Sequence, residues 1–130
     1  MSAFTDSELA YLTERRPERL GRIATVGKDD TPHVVPVGWR LKRDLDAIDV
    51  SGLNLGRTKK FRDARRTGRV AIVIDDLASV DPWSPRGIEV RGRAEVIEEP
   101  RPLIRIHPER IVSWGLEGER IDQRRSRAVS

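Results

Sequence analysis

The sequence predicts a small α+β domain, mainly β, in which six or seven short antiparallel strands close into a barrel that carries two helices. Three observations lead there. From residue 20 onward, short apolar-alternating runs follow one another with turn residues between them. Two segments only, near the N-terminus and in the middle, switch to helical spacing with capping signals. And 130 residues suffice for one core, while that many antiparallel strands are relieved of exposed edges by closing on themselves.

The elements follow in order. Thr5 and Glu8 have the spacing of a capping box, with Leu9, Tyr11 and Leu12 supplying an apolar side, so a first helix is expected over residues 6–16, before Pro17. Residues 20–26 and 33–41 read as a hairpin around Gly27-Lys28-Asp29-Asp30, with Val35, Val37, Trp39 and Leu41 recurring on one face. A turn at Arg43-Asp44 leads to a third strand over 47–51. Residues 57–67 break the alternation, with Phe61, Ala64 and Arg65 at helical spacing and Gly68 placed to end a second helix. The run Val70-Ala71-Ile72-Val73-Ile74 is apolar on both faces and reads as a central strand over 69–75. A loop rich in Asp and Pro is expected over 75–85. Beyond it, 87–96 alternates cleanly, with Ile88, Val90, Gly92, Ala94 and Val96 inward. Two further short strands, 103–106 and 110–114, are separated at His107-Pro108, because proline cannot donate to a ladder. Residues 4–116 thus form the barrel domain, and the charged residues 117–130 are expected to be a disordered tail.

Composition narrows the chemistry. With no cysteine, disulfide frameworks, thiolate nucleophiles and Cys-based zinc sites are excluded, and a cytoplasmic location is expected. No run of about 18 apolar residues exists and the N-terminus lacks a leader pattern, so no membrane association is expected. His33 and His107 stand apart, each beside a proline, and predict no metal site. Neither a dinucleotide-binding glycine fingerprint nor a P-loop occurs. The net charge of +4 comes almost entirely from arginine and favours anionic partners. Acids alternate with those bases and no aromatic-rich binding motif appears, so nucleic acid is not the expected partner.

The informative segment runs from Asp49 to Phe61, from a strand end through Gly52-Leu53-Asn54-Leu55-Gly56 into the second helix. A helix N-terminus presents free N–H groups and a positive dipole end, yet Arg57, Lys59 and Lys60 sit there. A bound phosphate would turn that repulsion into attraction; the plain alternative is that the lysines reach into water. On the anion reading, removing Lys59 should relieve like-charge repulsion in the empty protein. Trp39, Trp83 and Trp114 are candidate walls for a planar ring. Trp83, in a Pro-Trp-Ser-Pro loop, is the one free to act as a lid.

With these residues placed, positions 4–116 resemble the pyridoxamine 5′-phosphate oxidase-like family, in particular its small actinobacterial members that use the deazaflavin coenzyme F420. The resemblance rests on the order of the Val-Val-Pro-Val strand, Gly-Arg-Thr-Lys-Lys before the second helix, Arg-Val-Ala-Ile-Val-Ile, Gly-Ile-Glu-Val-Arg-Gly-Arg-Ala-Glu, and the closing run from Ile106 to Gly115. It implies a split β-barrel of the flavin-binding type, a homodimer with cofactor grooves at its interface, and an oxidoreductase passing a hydride from F420 to an unsaturated small-molecule acceptor, with FMN as the alternative cofactor. Carried onto this chain, it places the cofactor phosphate on Ser51, Gly52, Arg57, Thr58 and Lys59, with Lys60 adjacent. Val35, Pro36 and Val37 would back the ring system, and Ile72 would neighbour it. No catalytic residue is implied, and the 75–85 loop is where acceptor choice would be set.

Overall fold

The computed structural model describes residues 2–14, 16–117 and 124–129. Helix α1 (Asp6–Thr13) starts with the full reciprocal capping box: Thr5 N–H donates to Glu8 Oε1 at 2.9 Å, and Glu8 N–H donates to the Thr5 hydroxyl at 3.2 Å. It ends one turn before the expected limit, where Glu14 turns extended. Strands β1 (Gly21–Val26), β2 (Pro32–Lys42) and β3 (Ala47–Ser51) follow as a meander. A 3-10 turn (Leu55–Arg57) then leads to α2 (Lys59–Thr67), which Gly68 closes with a left-handed φ of 69°. Strands β4 (Arg69–Ser79), β5 (Ser84–Ile97), β6 (Leu103–Trp114) and β7 (Arg124–Ala128) complete the fold.

All seven strands pair antiparallel in the order β3-β2-β1-β4-β5-β6-β7, and β3 also pairs β6. Six strands therefore form a closed barrel, with β7 appended outside β6. Inside lie Ile23, Ile48, Ile72, Ile74, Ile88, Val90, Ile104, Ile106 and Ile111, none more than 1% exposed. β-branched side chains fill the pleated wall from both sides, as the period-two pattern requires.

Three expectations are corrected. The stretch 75–85 is not a loop but the far ends of a long β4–β5 hairpin, turning only through 80–83; Asp75 pairs Gly87 and Leu77 pairs Pro85. The two short strands around His107-Pro108 are one, β6. Pro108 pairs Gly92 while Arg110 pairs Arg91, so Glu109 is the extra residue of a bulge, a place where a missing N–H is tolerated. Finally, within the expected tail, Arg124–Ala128 is a strand paired on β6, whereas 118–123 and Ser130 lie outside the described residues. Polar β7 is held by ion pairs rather than apolar burial. Arg127 donates to both oxygens of Glu8, at 2.6 and 3.0 Å, and to the carbonyl of Ala3. Glu8 is 1% exposed; burial pushes its carboxyl up, but the bonds from Arg127 and Thr5 outweigh this and hold it below the usual range.

A second buried network seats α1 on the barrel. The Arg19 guanidinium lies over the Tyr11 ring, 4.0 Å from its centroid, and donates to Asp76 at 3.0 Å and Glu14 at 2.8 Å. Arg86 and the Tyr11 hydroxyl also donate to Asp76, at 2.8 and 2.9 Å. Burial raises the Asp76 pKa, yet the bonds from Arg86, Tyr11 and Arg19 win and bring it from 3.8 to about 2. A carboxyl lowered by folding stabilises fully above its unfolded value and loses that contribution as pH falls through the folded one. Acid titration followed by circular dichroism should therefore show about 2 kcal/mol of stability lost between pH 4 and 2. Asp76→Asn should remove that share of the slope, leaving the part that Glu8 contributes.

Candidate functional site

The site forms where the start of α2 meets the β1–β2 hairpin. Thr58 caps α2, its hydroxyl accepting from Phe61 N–H at 3.3 Å and donating to the Leu55 carbonyl at 2.6 Å. Phe61 and Ala64, 2% and 0% exposed, seat the helix on the barrel, which leaves the first-turn lysines at the rim. Opposite, β2 carries His33 and Val35 on one side, and pairing Thr25 with His33 brings a β1 hydroxyl residue alongside.

Two adjoining clefts result. One, of about 240 Å³, is lined by Thr25, His33, Val35, Thr58, Lys59 and Lys60. The other, of about 450 Å³, is lined by Lys28, Asp29, His33, Lys59, Arg62, Asp63 and Arg66. His33 and Lys59 belong to both, so the two are one groove with a polar waist. Gly27 makes room there: a Cβ on it would stand 3.0 Å from Lys59 Nζ, 3.2 Å from Asp29 Oδ1 and 3.2 Å from His33 Nε2. The carboxyl of Asp29 is held below its usual range by its hydrogen bonds to Thr31, with Lys59 adding to the effect.

The cations at the helix start have an internal partner that sequence reading overlooked. Asp63, one turn on, is 4% exposed and lies 3.1 Å (Oδ2) from Lys59 Nζ and 4.0 Å (Oδ1) from Arg66. Repulsion at the helix N-terminus is therefore offset without any ligand, and a phosphate is not needed to explain Lys59. The expectation that removing Lys59 relaxes the empty protein is corrected accordingly, since that change would strip a buried carboxylate of its nearest cation.

Of the residues assigned from sequence, Val35, Thr58, Lys59 and Lys60 come together in the smaller cleft. Ser51, Gly52 and Arg57 are exposed and line neither cleft; the Arg57 carbonyl accepts from Arg62 at 3.0 Å. Pro36 is exposed on the opposite face of β2. Val37 and Ile72, 6% and 1% exposed, are core residues whose side chains do not reach the groove. Trp39 is core as well, its Nε1 donating to the Arg19 carbonyl at 2.8 Å, whereas Trp83 at the β4–β5 turn is 60% exposed. Among the described residues no cluster of three metal-ligating side chains occurs, and no helix is long and apolar enough to cross a membrane.

The groove fits a phosphate-bearing cofactor. It offers the start of the nine-residue helix α2, an ammonium at the waist, a glycine whose missing Cβ leaves space, and an apolar wall at Val35.

The fold is a split β-barrel with a groove beside the start of its second helix. Comparison with known proteins agrees: the family model for pyridoxamine 5′-phosphate oxidase matches residues 8–129, and the chain belongs to that family. It is 40% identical over 125 residues to a 5a,11a-dehydrotetracycline/5a,11a-dehydrooxytetracycline reductase of Streptomyces rimosus, covering 89% of this chain and 86% of the relative. Among solved structures, the conserved hypothetical protein Rv2991 of Mycobacterium tuberculosis matches with a TM-score of 0.70 at 22% identity, over 88% of this chain and 86% of that one. An F420 reductase matches with a TM-score of 0.62 at 18% identity, over 83% and 98%. At those identities the structures speak for the fold.

Proposed function

We propose that this protein is an F420-dependent oxidoreductase that works as a homodimer on an unsaturated small-molecule acceptor. The observation that carries the reading is the smaller cleft, where the α2 start with Thr58, Lys59 and Lys60 faces the apolar wall at Val35, so that one ligand can place an anion and a flat ring side by side. When bound, reduced F420 supplies a hydride from its deazaflavin C5. The chain's own part is to hold: Lys59 and Lys60 attract the phosphate, Thr58 fixes the helix start, and His33 with Thr25 borders the groove. Positioning of this kind can account for a large share of the rate. The relative's name, a reductase of dehydro compounds, supports an unsaturated acceptor. The long cationic extension past Lys59, with Lys28, Arg62 and Arg66, favours a cofactor with an extended anionic tail over FMN, which is the second reading.

The homodimer is supported by a face the chain leaves uncovered. On the outside of the barrel, Val34, Ala24 and Ala71 stand in one cross-strand row, and Pro36, Arg22 and Val73 in the next. Val34 is 65% exposed. β4, apolar on both faces, needs a cover there.

Titration of the purified protein with F420 and with FMN, monitored by fluorescence with light scattering in parallel, tests the reading. Micromolar or tighter F420 binding to a species of twice 14.8 kDa is expected. Binding of FMN alone would transfer the assignment to the second reading, and a cofactor-bound monomer would refute the dimer.

A further inference from the structure

Most buried carboxylate oxygens are met by an N–H or O–H, so one that is not asks for an explanation. Asp63 Oδ2 is such an atom: it is buried and has no hydrogen-bond partner, since Lys59 Nζ, though only 3.1 Å away, does not meet it with hydrogen-bonding geometry. Its carboxylate is one wall of the larger cleft, between Lys59, Arg62 and Arg66, with Lys28, Asp29 and His33 across from it. Besides offsetting the cations at the helix start, that carboxylate sets a condition on any anion entering the cleft, since a plain anion meets a buried negative charge in its wall. An anion that also carries a proton satisfies the condition, because that proton turns repulsion into a charge-assisted hydrogen bond.

We propose that Asp63 is a specificity-determining residue of this groove, selecting ligands that present a hydrogen-bond donor next to their anionic group. The proposal rests on the groove being the cofactor site. Hydrogen phosphate meets the requirement within one group, and so does a phosphomonoester below its second pKa of about 6: a P–O⁻ oxygen accepts from Lys59 while the P–OH donates to Asp63 Oδ2. A phosphodiester such as that of F420 has no such proton and meets it only through a neighbouring hydroxyl or amide N–H. Sulfate, with neither, leaves the carboxylate facing an unshared lone pair, a penalty of the size incurred whenever a buried charged group goes unmatched. Asp63 reaches outward only as the flexible Lys59 stem, half exposed, swings aside.

The test compares inorganic phosphate with sulfate on the intact protein by isothermal titration, at a pH where hydrogen phosphate predominates. Phosphate should bind roughly tenfold or more tightly than sulfate. Asp63→Asn, whose amide donates as well as accepts, should raise sulfate affinity and collapse that ratio toward one. In the same variant, FMN should lose affinity when titrated below about pH 6, where its phosphate keeps a P–OH, and F420 should lose it if the donor is a hydroxyl or amide. Equal binding of phosphate and sulfate by the wild-type protein overturns the proposal and needs no variant to fold, as does a ratio that survives Asp63→Asn. Binding of F420 or FMN without anion discrimination sinks the role of Asp63 alone, whereas absence of binding by either cofactor sinks the underlying site reading.

Discussion

Arg127→Ala should destabilise the protein by about 3 kcal/mol, a fall of about 10 °C in melting temperature for a domain of this size. The side chain itself is a third exposed, which argues for the low end of what breaking a buried pair costs; its partner Glu8 is 1% exposed and would be left charged with only the Thr5 cap and a hydrogen bond from Ser113. The loss is therefore mostly that of an uncompensated carboxylate, not of an attraction. Adding Glu8→Gln to Arg127→Ala should recover a good part of it, because glutamine keeps the reciprocal cap to Thr5 and carries no charge. Urea denaturation of the two single variants and the double variant measures this directly, and strictly additive losses would show that Glu8 and Arg127 act independently.

Lys59→Ala should weaken cofactor binding by ten- to a hundredfold, the worth of one charge-assisted hydrogen bond to phosphate. It should also lower the stability of the empty protein by about 1 kcal/mol, since the buried Asp63 loses an ammonium 3.1 Å away, discounted for the half-exposed lysine. Thr58→Ala should instead cost about 1 kcal/mol with or without ligand, as loss of a helix cap does. Fluorescence titration together with thermal unfolding of both variants separates the roles. Unchanged affinity in Lys59→Ala, with the stability loss present, would make Lys59 purely the counter-ion of Asp63.

The barrel and both helices were legible because their signals are local. The Thr5–Glu8 capping box, Gly68 and the alternation of residues 87–96 depend only on neighbours a few positions away. What escaped depends on pairing between distant segments. Pro108 stops a strand on propensity grounds, yet β5 accommodates it with a bulge that no single-strand pattern encodes. The arginines of β7 look like a solvated tail until Glu8, more than a hundred residues earlier, is found buried beneath Arg127. The site divides in the same way. Thr58, Lys59 and Lys60 follow from the helix start, and two of the missed residues were one step from those named: His33 is two positions before Val35 on the same strand face, and Asp63 is one turn after Lys59. Thr25 and Lys28 join only through the β1–β2 register. Val37, on the same strand face as Val35 but farther along β2, and Ile72 are buried in the core rather than at the groove.

The closing seam of the barrel carries a consequence for motion. β3 and β6 are joined at only three paired positions, Ile48 with Ile106, Asp49 with Arg105 and Val50 with Ile104, against eleven between β5 and β6. Arg105 clasps Asp49 across that seam with bonds of 2.8 and 3.0 Å. Segments so far apart in sequence come together late in folding and part early in local opening, because the loop between them is costly to close. The chain leaves β3 directly for the turn and helix that carry Thr58 and Lys59. A ligand gripping the helix start would therefore act as a second clasp on that seam, and hydrogen exchange should show slower amides along β3 as well as at the ligand's own contacts.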